Sequence, residues 1–130
     1  MTSGNAAQRT ILLVDDDPDV RGTLRAMLES RGYRVLEAST AEAGRVRMLT
    51  NKVDLVFLDL GLPAESGPEL CAYIKQDMEP PVPKVVMLTV HDEPQAWAAG
   101  LDARPDVYAV KPFGMDRIFM LVENLLGEGS

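Results

Sequence analysis

Leu55-Val56-Phe57-Leu58-Asp59-Leu60-Gly61-Leu62-Pro63 is the stretch whose reading decides the fold. Four consecutive apolar residues closed by a carboxylate and followed by breakers read as a strand buried on both faces, whose last side chain leaves the core. Three more runs have this form. Ile11-Leu12-Leu13-Val14 ends in Asp15-Asp16-Asp17, Val85-Val86-Met87-Leu88 ends in Thr89, and Val107-Tyr108-Ala109-Val110 ends in Lys111. In an open parallel sheet the carboxyl ends of all strands share one edge, so these acids, a hydroxyl and an amine converge on one crevice. Such a group suits cation and phosphoryl chemistry.

Outward from these runs, strand and helix signals alternate. Pro18 stands at a first helical position, and Val20, Leu24, Met27 and Leu28 follow at helical spacing until Gly32. A second strand spans Tyr33–Ala38, Ser39 or Thr40 caps a helix through about Thr50, and the third strand is Asp54–Asp59. Pro68 opens a helix to about Asp77, Pro80-Pro81-Val82-Pro83 is a stiff connector, and Lys84–Thr89 is the fourth strand. Segment 91–105 contains Pro94, Gly100 and Pro105, so a helix there is short, roughly Pro94 to Ala99. Strand Val107–Lys111 and a helix from about Met115 to Leu126, with Ile118, Leu121, Val122 and Leu125 on one face, complete the pattern. The expected class is α/β, a doubly wound five-stranded parallel sheet with helices on both faces.

The 130 residues, 46% of them hydrophobic, fit one core. The expected organisation is a flexible leader over 1–9, one domain over 10–126, and a tail or the start of a linker over 127–130. A formal charge of −7 argues against direct nucleic-acid binding, because phosphate contacts need a basic face. The single Cys71 sits in a helical pattern and reads as a small buried hydrophobe, which suits a reducing compartment. The N-terminal stretch lacks an apolar signal core, and no apolar run approaches the roughly 20 residues of a membrane span. A cytoplasmic protein with no membrane contact is expected.

Mg²⁺ takes oxygen ligands and commonly uses one or two carboxylates with a phosphoryl oxygen, a set that Asp15, Asp16 and Asp59 can supply. Like charges about 4 Å apart repel by about 1 kcal/mol in water and about 4 kcal/mol at an effective dielectric of 20. The cluster therefore calls for a cation and an amine, and Lys111 is the candidate amine. A carboxylate can attack phosphorus, after which transfer needs mainly charge neutralisation and alignment. Asp59, alone at a central strand end, is the better nucleophile; adjacent Asp15 and Asp16 look like a metal-holding pair.

At these residues the chain resembles the receiver domain of two-component response regulators. The matching pieces are Val14-Asp15-Asp16-Asp17, Asp59-Leu60-Gly61-Leu62-Pro63, Leu88-Thr89 and Lys111-Pro112-Phe113, over about 10–126. Their intervals, 43 residues from Asp16 to Asp59, 30 to Thr89 and 22 to Lys111, agree with the family's layout. The resemblance implies a flavodoxin-like sheet of order 2-1-3-4-5 with the crevice between strands one and three, and a cis bond before Pro112. It implies that Asp59 receives a phosphoryl group from a sensor histidine kinase or phosphotransfer protein. Asp16, Asp59 and the Gly61 carbonyl hold Mg²⁺, with Asp15 contributing through water. Thr89 and Lys111 bind phosphoryl oxygens, and Thr89 and Tyr108 act as the switch. A downstream effector domain or protein reads the state, with homodimerisation on phosphorylation as one route. The chain is then not a turnover enzyme: it takes a phosphoryl group from a donor and loses it slowly.

Plainer readings stand beside these. Asp15-Asp16-Asp17 also fits a solvated helix start, and Tyr108 a partly buried core aromatic. Trp97 and Met48 read as packing residues, and His91 as an exposed loop residue. The sequence departs from the family's pattern at Val90, where a smaller residue is commoner and access to Asp59 is narrowed. It also lacks the usual Gly-Ala pair before strand five and carries Ser66 where an Asp often precedes the glycine. Two rival functions are a haloacid-dehalogenase-like phosphatase with Asp15 as nucleophile and Asp17 as acid, and an interaction-only receiver with little turnover. The phosphatase fits less well, because Asp19 replaces an expected Thr and the chain leaves little room for a cap.

Overall fold

The computed structural model describes residues 8–59, 62, 67–89, 105–111 and 114–127. Strand β1 is Thr10–Val14, followed by α1 (Pro18–Glu29), β2 (Arg34–Ala38), α2 (Ala41–Thr50) and β3 (Leu55–Asp59). Helix α3 (Gly67–Ala72) runs into a π turn at Tyr73–Asp77, and β4 (Lys84–Thr89), β5 (Val107–Val110) and α4 (Met115–Leu126) complete the described elements. The five strands are parallel in the order β2-β1-β3-β4-β5.

Strand alternation sorts the apolar runs into two cores, which is why they show no polar face. Ile11, Leu13, Val35, Leu55, Phe57, Val86, Leu88 and Ala109 pack against Leu24, Met27 and Leu28 of α1 and Ile118, Phe119 and Val122 of α4. Leu12, Val14, Val56, Leu58, Val85 and Met87 face the other way, onto Ala41 and Met48 of α2 and Leu70, Cys71 and Ile74 of the third helical segment. Met48 and Cys71 are thus core residues, as expected. Burial pushes the Cys71 thiol up to about 11, so it is a protonated packing group at neutral pH.

Local chemistry explains where the elements stop. The Asp17 carboxylate accepts from the Asp19 N–H at 2.9 Å and caps α1, while the Thr40 hydroxyl accepts from Ala43 N–H at 3.0 Å and caps α2. After α1 the chain reverses through Gly32 at φ 90°, and α4 closes on Gly127 at φ 69°, both left-handed positions where a Cβ is strained.

Three boundaries differ from the sequence reading. β2 and β3 each begin one residue later than expected, at Arg34 and Leu55, and β5 ends at Val110, leaving Lys111 as the first residue beyond it. The segment expected as one regular helix to Asp77 widens instead into the π turn, closed by Met78 N–H on the Tyr73 carbonyl at 3.2 Å. That turn keeps Ile74 fully buried while Lys75 reaches Asp106 at 2.7 Å, two contacts local periodicity does not reveal. The helix expected over 94–99, Val90, His91, Trp97, Ser66 and the Lys111–Pro112 bond lie outside the described residues.

Candidate functional site

The crevice follows from topology. From β1 the chain crosses to β2 on one side and, later, to β3 on the other, so the helices diverge and leave a gap at the carboxyl ends of β1 and β3. Val14 pairs with Leu58, which sets Asp15 beside Asp59 at the exit of the two central strands. By alternation Asp15 continues the face of Ile11 and Leu13, Asp59 that of Leu55 and Phe57, and Lys111 that of Ala109. Shared parity brings the three side chains together.

Asp15, Asp16 and Asp59 offer carboxylate oxygens that all lie within 4.8 Å of one another. Lys111 Nζ donates to Asp15 Oδ2 at 2.9 Å and lies 3.9 Å from Asp59 Oδ1. The side chains of Asp15, Asp59 and Lys111 are 2%, 13% and 16% exposed, so the charges meet in a partly desolvated cleft where one ammonium offsets part of the repulsion among three acids. Three clustered hard oxygen donors in an open crevice fit Mg²⁺, and their pull on an ammonium shows that the cluster favours a cation.

The structure divides Asp15-Asp16-Asp17 among three tasks. Asp15 is buried, Asp16 is exposed over the cluster, and Asp17 caps α1. The solvated helix-start reading therefore holds for Asp17 alone. Asp15 is engaged on both oxygens, by Lys111 Nζ and by Asp17 N–H at 2.9 Å. Thr89 ends β4 opposite Val110, with its backbone at the same edge. Its side chain and Gly61 lie outside the described residues. Tyr108 is half-buried against the α2/α3 core, on the opposite face from Ala109, three positions before Lys111.

Two residues at the site went unread in the sequence. Arg21 on α1 donates from Nη1 to the Asp15 carbonyl at 2.6 Å and from Nε to Glu37 Oε1 at 2.9 Å. Glu37, on β2, is also held by Arg25 Nη1 at 2.7 Å. The Arg25 hydrogen bond, with that of Arg21 behind it and against the opposing effect of burial, draws the Glu37 carboxyl below its ordinary range. An acid interrupting an apolar strand, with arginines one turn apart on the preceding helix, was the available signal.

Residues 11–123 match the family of the response regulator receiver domain. Relatives include the KDP operon transcriptional regulatory protein KdpE of Escherichia coli, 39% identical over 108 residues, covering 83% of this chain and 47% of the relative. The transcriptional regulatory protein ResD of Bacillus subtilis is 34% identical over 120 residues, covering 92% of this chain and 49% of the relative. Among solved structures, a response regulator from Chloroflexus aurantiacus superposes with a TM-score of 0.82 at 31% identity, covering 92% of this chain and 98% of that one. TrrA from Thermotoga maritima, solved in complex with Mg²⁺–BeF, gives 0.78 at 30% identity, covering 91% and 99%.

The chain belongs to the response regulator receiver domain family, and its function is that of a phosphorylation-coupled signalling domain of two-component systems. It spans about half the length of the curated relatives it matches. Among the described residues no helix is long and apolar enough to cross a membrane.

Proposed function

We propose that Asp59 is the phospho-acceptor of a receiver unit spanning 10–126, and that a sensor histidine kinase or phosphotransfer protein in the cytoplasm is the donor. A single observation carries this reading: three carboxylates within 4.8 Å of one another, with the Lys111 ammonium on two of them, at the carboxyl ends of the central strands. An Asp59 oxygen attacks phosphorus, the phosphorus–nitrogen bond of the donor phosphohistidine breaks, and imidazole departs with that bond's electrons. The product is an acyl phosphate. Asp16, Asp59 and the Gly61 carbonyl would hold Mg²⁺, which would supply charge neutralisation at the phosphoryl oxygens.

Lys111 leaves its place on Asp15 to pair with the new phosphoryl oxygens, for which its 3.9 Å separation from Asp59 leaves little distance to travel. Asp15 would help hold the ion, through water. The Thr89 hydroxyl and Tyr108 then report the phosphorylated state to an effector domain or protein, with a homodimer as one form of readout, as population shift toward the state the phosphoryl group favours. Hydrolysis is slow, and the chain works as a switch.

Mapping of labelled aspartyl phosphate after exposure to acetyl phosphate with Mg²⁺ tests the reading. Stable label is expected at Asp59 and none in Asp59→Asn, whereas Thr89→Ala is expected to take label and lose the response. Label at Asp15 with rapid phosphate release would support the phosphatase instead. No label in the wild type would support a module that only docks.

A further inference from the structure

We infer that Arg21 is a positioning residue for the acid cluster: braced by Glu37, its guanidinium fixes the main chain at Asp15 and so sets where Asp15 and Asp16 present their carboxylates. The inference rests on reading that cluster as a Mg²⁺ site.

Arg21 is only 17% exposed and spans two elements with one rigid fork, Nη1 on the Asp15 carbonyl at 2.6 Å and Nε on Glu37 Oε1 at 2.9 Å. Its Glu37 anchor is itself fixed, because Arg25 grips the second carboxylate oxygen at 2.7 Å from the far side. The turn between β1 and α1 is also tied to β2 through Asp15 N–H on the Ala38 carbonyl at 3.1 Å, and closed by Asp17 N–H on Asp15 Oδ1 at 2.9 Å. Asp16 is exposed between these anchored neighbours, so the direction of its carboxylate is inherited from the main chain that Arg21 holds. A planar guanidinium keeps both acceptors at fixed spacing; an ammonium, a single point charge, does not reproduce that geometry.

Positioning and plain electrostatics predict opposite signs. Arg21 is a cation near a cation site, so a purely electrostatic role means that Arg21→Gln relieves repulsion and tightens Mg²⁺. A positioning role means that Arg21→Gln weakens Mg²⁺ about tenfold, the lower end of what losing an oriented partner of a metal ligand costs. Arg21→Lys, which keeps the charge and loses the fork, should weaken it in the same direction. Arg25→Gln, which loosens the Glu37 anchor but leaves the Arg21 hydrogen bond to the Asp15 carbonyl in place, should weaken it less than either Arg21 variant.

The test is Mg²⁺ titration of the whole chain followed by intrinsic fluorescence, with thermal melting to establish that each variant is folded. Hydrogen exchange at the Asp17 amide in metal-free protein gives a second readout. Weaker Mg²⁺ in both Arg21 variants and faster Asp17 exchange are expected. Tighter or unchanged Mg²⁺ in Arg21→Gln, or unchanged Asp17 protection, overturns the positioning role while leaving the metal site standing. If Asp16→Asn and Asp59→Asn also bind Mg²⁺ as the wild type does, the metal-site reading falls and takes the inference with it.

Discussion

At the amino edge of the sheet Asp54 and Asp106 each accept a main-chain N–H from the neighbouring strand, whereas at the carboxyl edge Asp15, Asp16 and Asp59 crowd against one another. Asp54 Oδ2 takes Thr10 N–H at 2.8 Å, and Asp106 Oδ2 takes Val85 N–H and Lys75 Nζ, both at 2.7 Å. These acids staple strand to strand. Asp59, five residues after Asp54 and at the far end of β3, instead faces two carboxylates and an ammonium. Asp15 shows that a backbone donor and an ammonium do not by themselves mark a structural acid, since it accepts from Asp17 N–H and Lys111 as Asp106 accepts from Val85 N–H and Lys75; what separates the site acids is the crowding of three carboxylates within 4.8 Å, which calls for a cation.

The comparison breaks most sharply through the two aspartates that flank the apolar run of β3, Asp54 just before it and Asp59 at its end. Asp59→Asn should abolish acetyl phosphate labelling while stability stays level or rises, because a like charge leaves the cluster. Asp54→Ala should keep labelling and lower unfolding stability by about 1–3 kcal/mol, the usual cost of orphaning a buried donor such as Thr10 N–H. Urea unfolding and label counting on both variants check this; labelling lost in Asp54→Ala at unchanged stability would erase the distinction.

Lys111→Met sharpens the carboxyl-edge half. It leaves Asp15, 2% exposed, without its ammonium, and breaking a buried pair from one side costs about 3 kcal/mol. The loss should be seen in metal-free buffer and shrink as Mg²⁺ is added, which denaturant midpoints with and without the ion measure.

Glycines offer a smaller contrast between the site's support and a free surface. Gly22 lies inside α1 with nothing within 4 Å of an added Cβ, so Gly22→Ala should raise stability by about 0.5–1 kcal/mol. A Cβ on Gly44 would stand 3.1 Å from Val14 Cγ2, directly before Asp15. Gly44→Ala should gain less or lose stability, and should disturb Mg²⁺ binding where Gly22→Ala does not.

The smallest effect concerns acid. Glu37 has its carboxyl lowered from the ordinary 4.5 chiefly by Arg25, so its contribution is fully present above that value and is lost as pH falls through the lower folded-state value. Glu37→Gln should flatten the stability profile below pH 4.5 and leave its shape near neutrality unchanged, as melting temperatures across that range will show.

Most of the fold was legible because its signals are local. Continuous apolar runs, Pro18 at the start of α1, the Thr40 cap and the spacing of Ile118, Leu121 and Val122 on α4 each depend on residues within a turn or a strand length. The strand-end chemistry was legible for the same reason, since a polar residue closing an apolar run must leave the core at the carboxyl edge of a parallel sheet. The π turn at Tyr73–Asp77 was not, because its partner Asp106 is 31 residues away from Lys75.

By itself the sequence determined the α/β alternation, the candidates Asp15, Asp16, Asp59, Thr89 and Lys111, and the family they resemble, because periodicity and motif order are written along the chain. Only the tertiary structure decided how the acids divide their work: Asp15 under Lys111, Asp16 open, Asp17 a helix cap, Asp54 a strand staple. It alone brought Arg21 and Glu37 to the back of the site. An aspartate has the same chemistry wherever it stands, and its role is set by donors that arrive from other elements, such as an ammonium 96 residues on from Asp15.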